Sequence, residues 1–260
     1  MIYAMSDIHG YLSVLRRNME LLDLTGSSKL LLLGDYIDYG PESGQTLRYI
    51  RDLQRRHGDD KVIVLRGNHE DMFLDWLDTY TDPRAGLPDE YLTLWNDWLT
   101  SELGTDTVRT LLSEEQWAFF RQISRTASEG TLNMEAAQMV LASNRELIRW
   151  LRGLPYYYET DTQIFVHAGV DEEAGEWWAL GTEESFFTGK YPPSTGRFYK
   201  DIIAGHVGTA MLANNRDFHG VYHDGQSHYY IDGTVNESGR IPILTYDEAS
   251  GKYWEMKYPA

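Results

Sequence analysis

The chain has 260 residues and carries 23 Lys+Arg against 40 Asp+Glu, a formal net charge of -17. That length fits one sizeable α/β domain or two small ones, and the charge opposes general attraction to nucleic acid or an anionic membrane, so neither is expected as a partner. Cysteine is absent, which excludes disulfides, thiolate metal sites and cysteine nucleophiles and suits a reducing compartment.

The chain opens directly on "MIYAMSDIHG", without the charged and apolar regions of a signal peptide. No apolar run approaches the roughly 20 residues of a membrane span, and a cytoplasmic location is expected. The first apolar run, "MIYAM", reads as a strand and is followed by "YLSVLRRNMELLDL", where Leu12, Leu15, Met19 and Leu22 recur at helical spacing. A second run, "KLLLL", precedes "ESGQTLRYIRDLQRRHG", with Leu47, Ile50 and Leu53 on one face and Gly58 as a stop. The third run, "KVIVL", completes a strand-helix-strand-helix-strand order that predicts parallel pairing in an α/β sheet. One domain over residues 1–260 is the working assumption.

From about 71 to 153 the pattern is helical and acidic and carries Trp76, Trp95, Trp98, Trp117 and Trp150. The expectation is a helical insertion packed together by its tryptophans, and the sharper alternative is a cap over the active site that selects substrates. Two more strand-like runs follow, "QIFVH" and "DIIAG". After His206, "HYYID", "IPILTY" and "YWEMKY" are expected to form an antiparallel meander.

Each of the five early runs ends in a group able to bind metal. The ends supply Asp7 and His9, then Asp35 and Asp38, then Asn68 and His69, then His167, then His206, with Gly10, Gly34, Gly67, Gly169 and Gly205 beside them. Glycine permits tight turns and close backbone approach, and ligands of open α/β sheets bind at the carboxyl ends of strands. Buried carboxylates and imidazoles gathered without a cation would cost several kcal/mol, so the joint pattern points to metal. Oxygen and imidazole donors without sulfur suit manganese, iron or catalytic zinc. Six ligands are too many for one catalytic ion and divide between two divalent cations that share a carboxylate. Such a centre attracts phosphate.

"SDIHG", "GDYID", "RGNHE", "VHAG" and "AGH", in this order, resemble the calcineurin-like metallophosphoesterases, in particular their bacterial serine/threonine protein phosphatase-like branch. The resemblance is close over positions 1 to about 70 and looser over 155–235. It implies two β-sheets packed face to face and flanked by helices, with the helical insertion added. It also implies Asp7 and His9 on a first metal, Asp35 bridging, and Asn68, His167 and His206 on a second, with Mn²⁺ the leading candidate and Fe or Zn compatible. His69 would protonate the leaving oxygen and Asp38 would orient it, while a metal-bridging hydroxide attacks phosphorus in line.

Two positions depart from the family pattern. Tyr39 stands where the second motif usually has a phosphate-gripping arginine, and Arg197 is the one candidate for a further arginine between the fourth and fifth motifs. Arg66 keeps its family place. A tyrosine supplies one neutral donor where arginine supplies a charged fork, so altered phosphomonoester recognition is expected, with Arg66, Tyr39 and Arg197 as the substrate-binding candidates. His219, His223 and His228 are expected as solvated loop histidines, and Glu70 and Asp71 as residues that charge the start of a helix without chemical role. The leading function is hydrolysis of a phosphomonoester, with a phosphoprotein or small phosphoester as substrate. The alternatives are hydrolysis of diadenosine polyphosphates and a metal-binding regulatory protein without turnover.

Overall fold

The computed structural model describes residues 1–81, 98–99 and 104–257. The first three apolar runs form β1 (Ile2–Met5), β2 (Lys29–Leu32) and β3 (Val62–Val64), joined by α1 (Leu12–Met19) and α2 (Ser43–His57). β1 pairs with β2 and β2 with β3, both in parallel. These runs are apolar throughout because alternation sends neighbouring side chains to opposite faces and both faces are covered. Ile2, Ala4, Leu31, Leu33, Ile63 and Leu65 pack against Phe165, Ile203 and Ile231 of a second sheet. Tyr3, Met5, Leu30, Leu32, Val62 and Val64 pack the other way, against the helices.

Among the described residues, helices follow β3. They are α3 (Asn68–Thr81), α4 (Gly104–Leu111), α5 (Glu114–Ile123) and α6 (Glu129–Arg152). Tryptophans hold them together: Trp76 donates to Asn133 of α6 at 2.7 Å, its ring lies 5.1 Å from that of Trp98, and Trp150 of α6 donates to Gln54 of α2 at 2.8 Å. Trp117 stacks on Phe120 at 5.1 Å. Trp95 lies outside the described residues.

The second sheet contains β4 (Tyr157–Glu159), β5 (Gln163–Val166), β6 (Asp201–Gly208), β7 (Tyr222–His223) and β8 (His228–Asp232), in the order β4-β5-β6-β8-β7. Between β5 and β6, α7 (Trp178–Gly181) and α8 (Glu184–Gly189) cover its outer face through Trp178 and Phe187. β9 (Leu244–Asp247) and β10 (Lys252–Glu255) return to the first sheet, whose order is β10-β9-β1-β2-β3. The expected meander is therefore split between the sheets. β8 pairs with β6 in parallel, because the connection over 209–227 is long enough for a crossover. β9 instead closes the free edge of β1, antiparallel to it. The result is the expected architecture of two mixed sheets face to face with helices outside. Among the described residues, no helix is long and apolar enough to cross a membrane.

Candidate active site

The parallel strands of both sheets direct their carboxyl ends to one cleft of about 380 Å³, lined by Asp7, His9, Asp35, Asn68, His69 and His206 together with Tyr39 and Asp232. Backbone bonds continue past the strand ends and clasp the loops: Asp7 N donates to Gly34 O at 3.1 Å, His9 N to Asp35 O at 2.9 Å, and Gly205 N to His167 O at 2.8 Å. The turns that follow are strained. Asp7, His9, Asp35, Asp38, Tyr39 and His206 all have positive φ, between 46° and 71°, a conformation that costs non-glycine residues about 1–3 kcal/mol each and persists at functional sites. Glycine supplies close approach where a side chain would intrude. A Cβ on Gly67 would strike Asp35 Oδ1, and one on Gly205 would strike Ser6 and Asp7. At Gly169 the obstacle is Lys190, outside the cleft.

The orientation of the donors follows from what their other atoms touch. His9 Nδ1 donates to Ile37 O at 2.9 Å and His167 Nδ1 to Leu33 O at 2.9 Å, which leaves both Nε2 atoms for the cleft. His69 N donates to Asp35 Oδ1 at 3.0 Å. Asp35 Oδ2 is thereby turned toward His9 Nε2, His167 Nε2 and His69 Nε2, at 3.8, 3.3 and 3.9 Å. Asn68 Oδ1 sits 2.9 Å from His167 Nε2 and 3.0 Å from His206 Nδ1. Asp7 Oδ1 is 4.0 Å from His9 Nε2. Two metal-competent groups result, His9–Asp35–His69 and Asp35–His167–His206, with Asp35 in both. This donor set fits two divalent cations that share Asp35.

Electrostatics agree with that fit. Burial would lift the Asp35 carboxyl, but His167 and His69 outweigh it and hold the group well below the usual carboxylate range. Burial and the neighbouring His167 push His206 down to about 4, so its imidazole is neutral and ready to ligate. Burial likewise lowers His9. His167 is the opposite case: burial lowers it, yet Asp35 wins and pushes it up to about 10. Proton and cation compete for its Nε2, so metal binding there releases a proton.

His69 Nδ1 donates to Asp38 Oδ2 at 2.7 Å. Asp38 is itself held by three groups: Trp98 Nε1 reaches Oδ2 at 3.0 Å, Thr107 Oγ1 reaches Oδ1 at 2.6 Å, and Ser43 Oγ accepts the Asp38 N–H at 3.0 Å. Burial lowers His69, but Asp35 and Asp38 outweigh it and push the imidazole up to about 9. Trp98 and Thr107 belong to the stretch expected as a helical insertion, with a cap as the alternative. No described residue of that stretch lines the metal cleft; its contribution is to brace Asp38 from behind.

A model of the calcineurin-like phosphoesterases matches residues 1–210. The chain belongs to this family. A symmetrical bis(5'-nucleosyl)-tetraphosphatase of Aromatoleum aromaticum is 31% identical over 175 residues, 65% of this chain and 44% of that protein. Another of that name, from Thioalkalivibrio sulfidiphilus, is 41% identical over 70 residues, covering 26% of this chain and 24% of its own length. A Caenorhabditis elegans protein named for serine/threonine-protein phosphatase activity is 36% identical over 69 residues, covering 26% and 19%. The matches thus span less than half the length of each relative. Among solved structures, one described as a diadenosine tetraphosphatase gives a TM-score of 0.53 at 15% identity, covering 98% of this chain and 92% of that one. The cold-active protein-tyrosine phosphatase of a psychrophilic Shewanella gives 0.51 at 15%, covering 98% and 80%. These likenesses speak for the fold.

Within this calcineurin-like phosphoesterase the phosphate-binding candidates are scattered. Tyr39 is 48% exposed and stands at the cleft, its ring 4.8 Å from His9 and 5.5 Å from His69. Arg197 is exposed and does not line the cleft, so the expectation placed on it fails geometrically. Arg66 lines a neighbouring pocket of about 690 Å³ that shares Asn68 with the metal cleft. There it donates to Asp71 at 3.3 Å, to Tyr156 Oη at 3.2 Å and to the carbonyl of Arg152.

Two readings need correction. Glu70 is fully buried and does more than charge a helix: it accepts from Asp35 N at 2.9 Å, Tyr36 N at 2.8 Å and Gly67 N at 3.0 Å, fixing the loop that carries the bridging carboxylate. His228 is no solvated loop histidine. It is buried between Asp224, 3.2 Å away, and Glu172, also 3.2 Å away. Asp232, unmarked in the sequence reading, ends the run "HYYID" just before a glycine, the same signature that marked the other strand ends.

Proposed function

We propose that the chain is a dinuclear metal-dependent phosphoesterase that hydrolyses phosphomonoesters in the manner of serine/threonine protein phosphatases. The observation that carries this reading is the His69–Asp38 pair at 2.7 Å, which engages His69 through Nδ1 next to the metal-competent group Asp35–His167–His206. When bound, two divalent cations, Mn²⁺ foremost with Fe or Zn as alternatives, supply the charge that draws a phosphoryl group and the acidity that makes water a nucleophile at neutral pH. Asp7, His9 and Asp35 would hold one cation, and Asp35, Asn68, His167 and His206 the other. His69 carries a proton on Nε2 and gives it to the leaving oxygen, while Asp38 accepts from Nδ1–H and keeps the ring aimed. Tyr39 offers a neutral donor where an arginine fork would stand. Residues 1–260 are taken as one domain, supported by the buried cluster that joins β1 to β3, α1 and α2 with Phe73, Val108, Phe120 and Leu147 of the inserted helices.

The second reading is a diadenosine polyphosphate hydrolase, favoured by the names of the Aromatoleum and Thioalkalivibrio relatives. The pocket beside Asn68 favours the first. It presents Asp71, Asp75, Asp78 and Glu184, and its two arginines are already engaged, Arg66 with Asp71 and Arg152 with Asp78. A peptide leaving group suits such a wall better than a polyphosphate chain, which needs uncommitted cations. A regulatory protein without turnover has no use for the His69–Asp38 pair.

The test of the mechanism is His69→Ala, with bound metal counted in the same samples. Turnover is expected to fall by about 10²- to 10⁴-fold while two metal ions per chain remain. Unchanged turnover, or loss of an ion, would remove His69 from the role of acid and make it dispensable or a ligand.

A further inference from the structure

Both sheets contribute parallel strands to the cleft, and the one strand end without an assigned role is that of β8. It brings Asp232, only 8% exposed, into the lining beside Asp7, Asp35 and His206. Register puts it there: Asp232 pairs with Gly208, two residues beyond His206 on β6. Gly208 has no side chain, and a Cβ at that position would strike Thr234 Oγ1, so bare backbone leaves room for the turn that follows Asp232. Asp232 Oδ1 accepts the Thr234 N–H at 2.7 Å. Thr234 itself holds φ at 51°, a conformation that costs a β-branched residue free energy and persists where the surroundings demand it.

Among the described residues, no Lys or Arg lines the cleft, and the charge is answered only by imidazoles, His167 foremost. Asp7 and Asp232 feel one another. Burial lifts the Asp7 carboxyl and Asp232 lifts it further; burial also raises Asp232, and Asp35 adds to the effect. Buried carboxylates kept together without a cation are costly, and a divalent ion removes that cost.

We propose that Asp232 is a positioning residue of the metal centre, a third carboxylate in the cleft beside Asp7 and Asp35 that strengthens the hold on one of its cations. The proposal rests on the dinuclear reading. It also sets the charge of the centre: two divalent cations against three carboxylates leave +1, where two carboxylates would leave +2. A tighter metal site is thus gained against a weaker pull on a dianionic phosphate.

The experiment is a calorimetric Mn²⁺ titration of the chelator-treated full chain, comparing the wild type with Asp232→Asn and Asp232→Glu. Asparagine keeps the shape and the acceptor for Thr234 N–H and removes the charge alone. In Asp232→Asn one of the two sites is expected to weaken by about 10- to 100-fold with the other unchanged, and Asp232→Glu is expected to recover most of the affinity. Superimposable isotherms for wild type and Asp232→Asn would overturn the proposal and leave the dinuclear reading intact. Equal weakening of Asn and Glu variants with a lowered melting temperature would make Asp232 a purely structural residue and overturn it as well. A wild type that binds no Mn²⁺ would overturn both.

Discussion

Glu70 shows what a single side chain does for the centre. Its two oxygens take three backbone N–H groups, from Asp35, Tyr36 and Gly67, and so tie the loop after β2 to the loop after β3. The first of these loops carries Asp35 in a left-handed conformation, which the Glu70 clamp helps to maintain. Glu70→Gln replaces one accepting oxygen by an amide that meets an N–H head-on. The expected cost is about 2–3 kcal/mol of stability, read by denaturant unfolding of the metal-free protein; a loss below about 0.5 kcal/mol would show that the clamp is not needed. None of this was visible in "RGNHE" as a string. The motif announces a glutamate beside two site residues, but two of the three donors that it satisfies, Asp35 N and Tyr36 N, come from a different strand end.

At the scale of elements, the strand runs and the metal-competent side chains at their ends were legible because both periodicity and chemistry lie in short stretches of sequence. The two-sheet sandwich was not legible from pattern alone; it came with the family resemblance, since alternation marks two buried faces without saying what covers them. The meander failed because strand pairing is a long-range choice, made here by the open edge of β1. His228 failed for a similar reason: Asp224 lies only four residues before it, but Glu172, which closes the other side, comes from a distant stretch. That cluster ties the segment after β5 to β8, with Lys190 also donating to Glu172 at 3.0 Å. Burial opposes it, but Glu172 and Asp224 raise His228 above 6.5, so its contribution is full below pH 6.5 and is lost as pH climbs through the folded value. Burial also opposes ionisation of Glu172, yet His228 and its other donors lower it from 4.5 to about 2, so that contribution is full above pH 4.5 and is lost as pH falls toward 2. The cluster should therefore stabilise most between pH 4.5 and 6.5. The difference in melting temperature between wild type and His228→Gln is expected to peak in that window and narrow above it; a difference that grows with rising pH would contradict the assignment.

For the whole molecule, a chain of net charge -17 binds an anionic group only where metal reverses the local sign. The fold concentrates that reversal at one cleft and surrounds it with acidic or already paired walls, as at Asp75, Asp78 and Glu184 beside Asn68. Sequence motifs sufficed to mark the candidate metal cleft, whereas the neighbouring pocket around Tyr156 is brought together only by the folded chain. The central claim is that this cleft is a metal-dependent phosphomonoesterase. Its most direct test is the initial rate of the Mn²⁺-loaded protein on a phosphoserine peptide and on diadenosine tetraphosphate, side by side, with a chelated control. The account predicts chelator-sensitive phosphate release that is faster from the peptide. Preferential cleavage of the dinucleotide, or release unaffected by chelation, would contradict it.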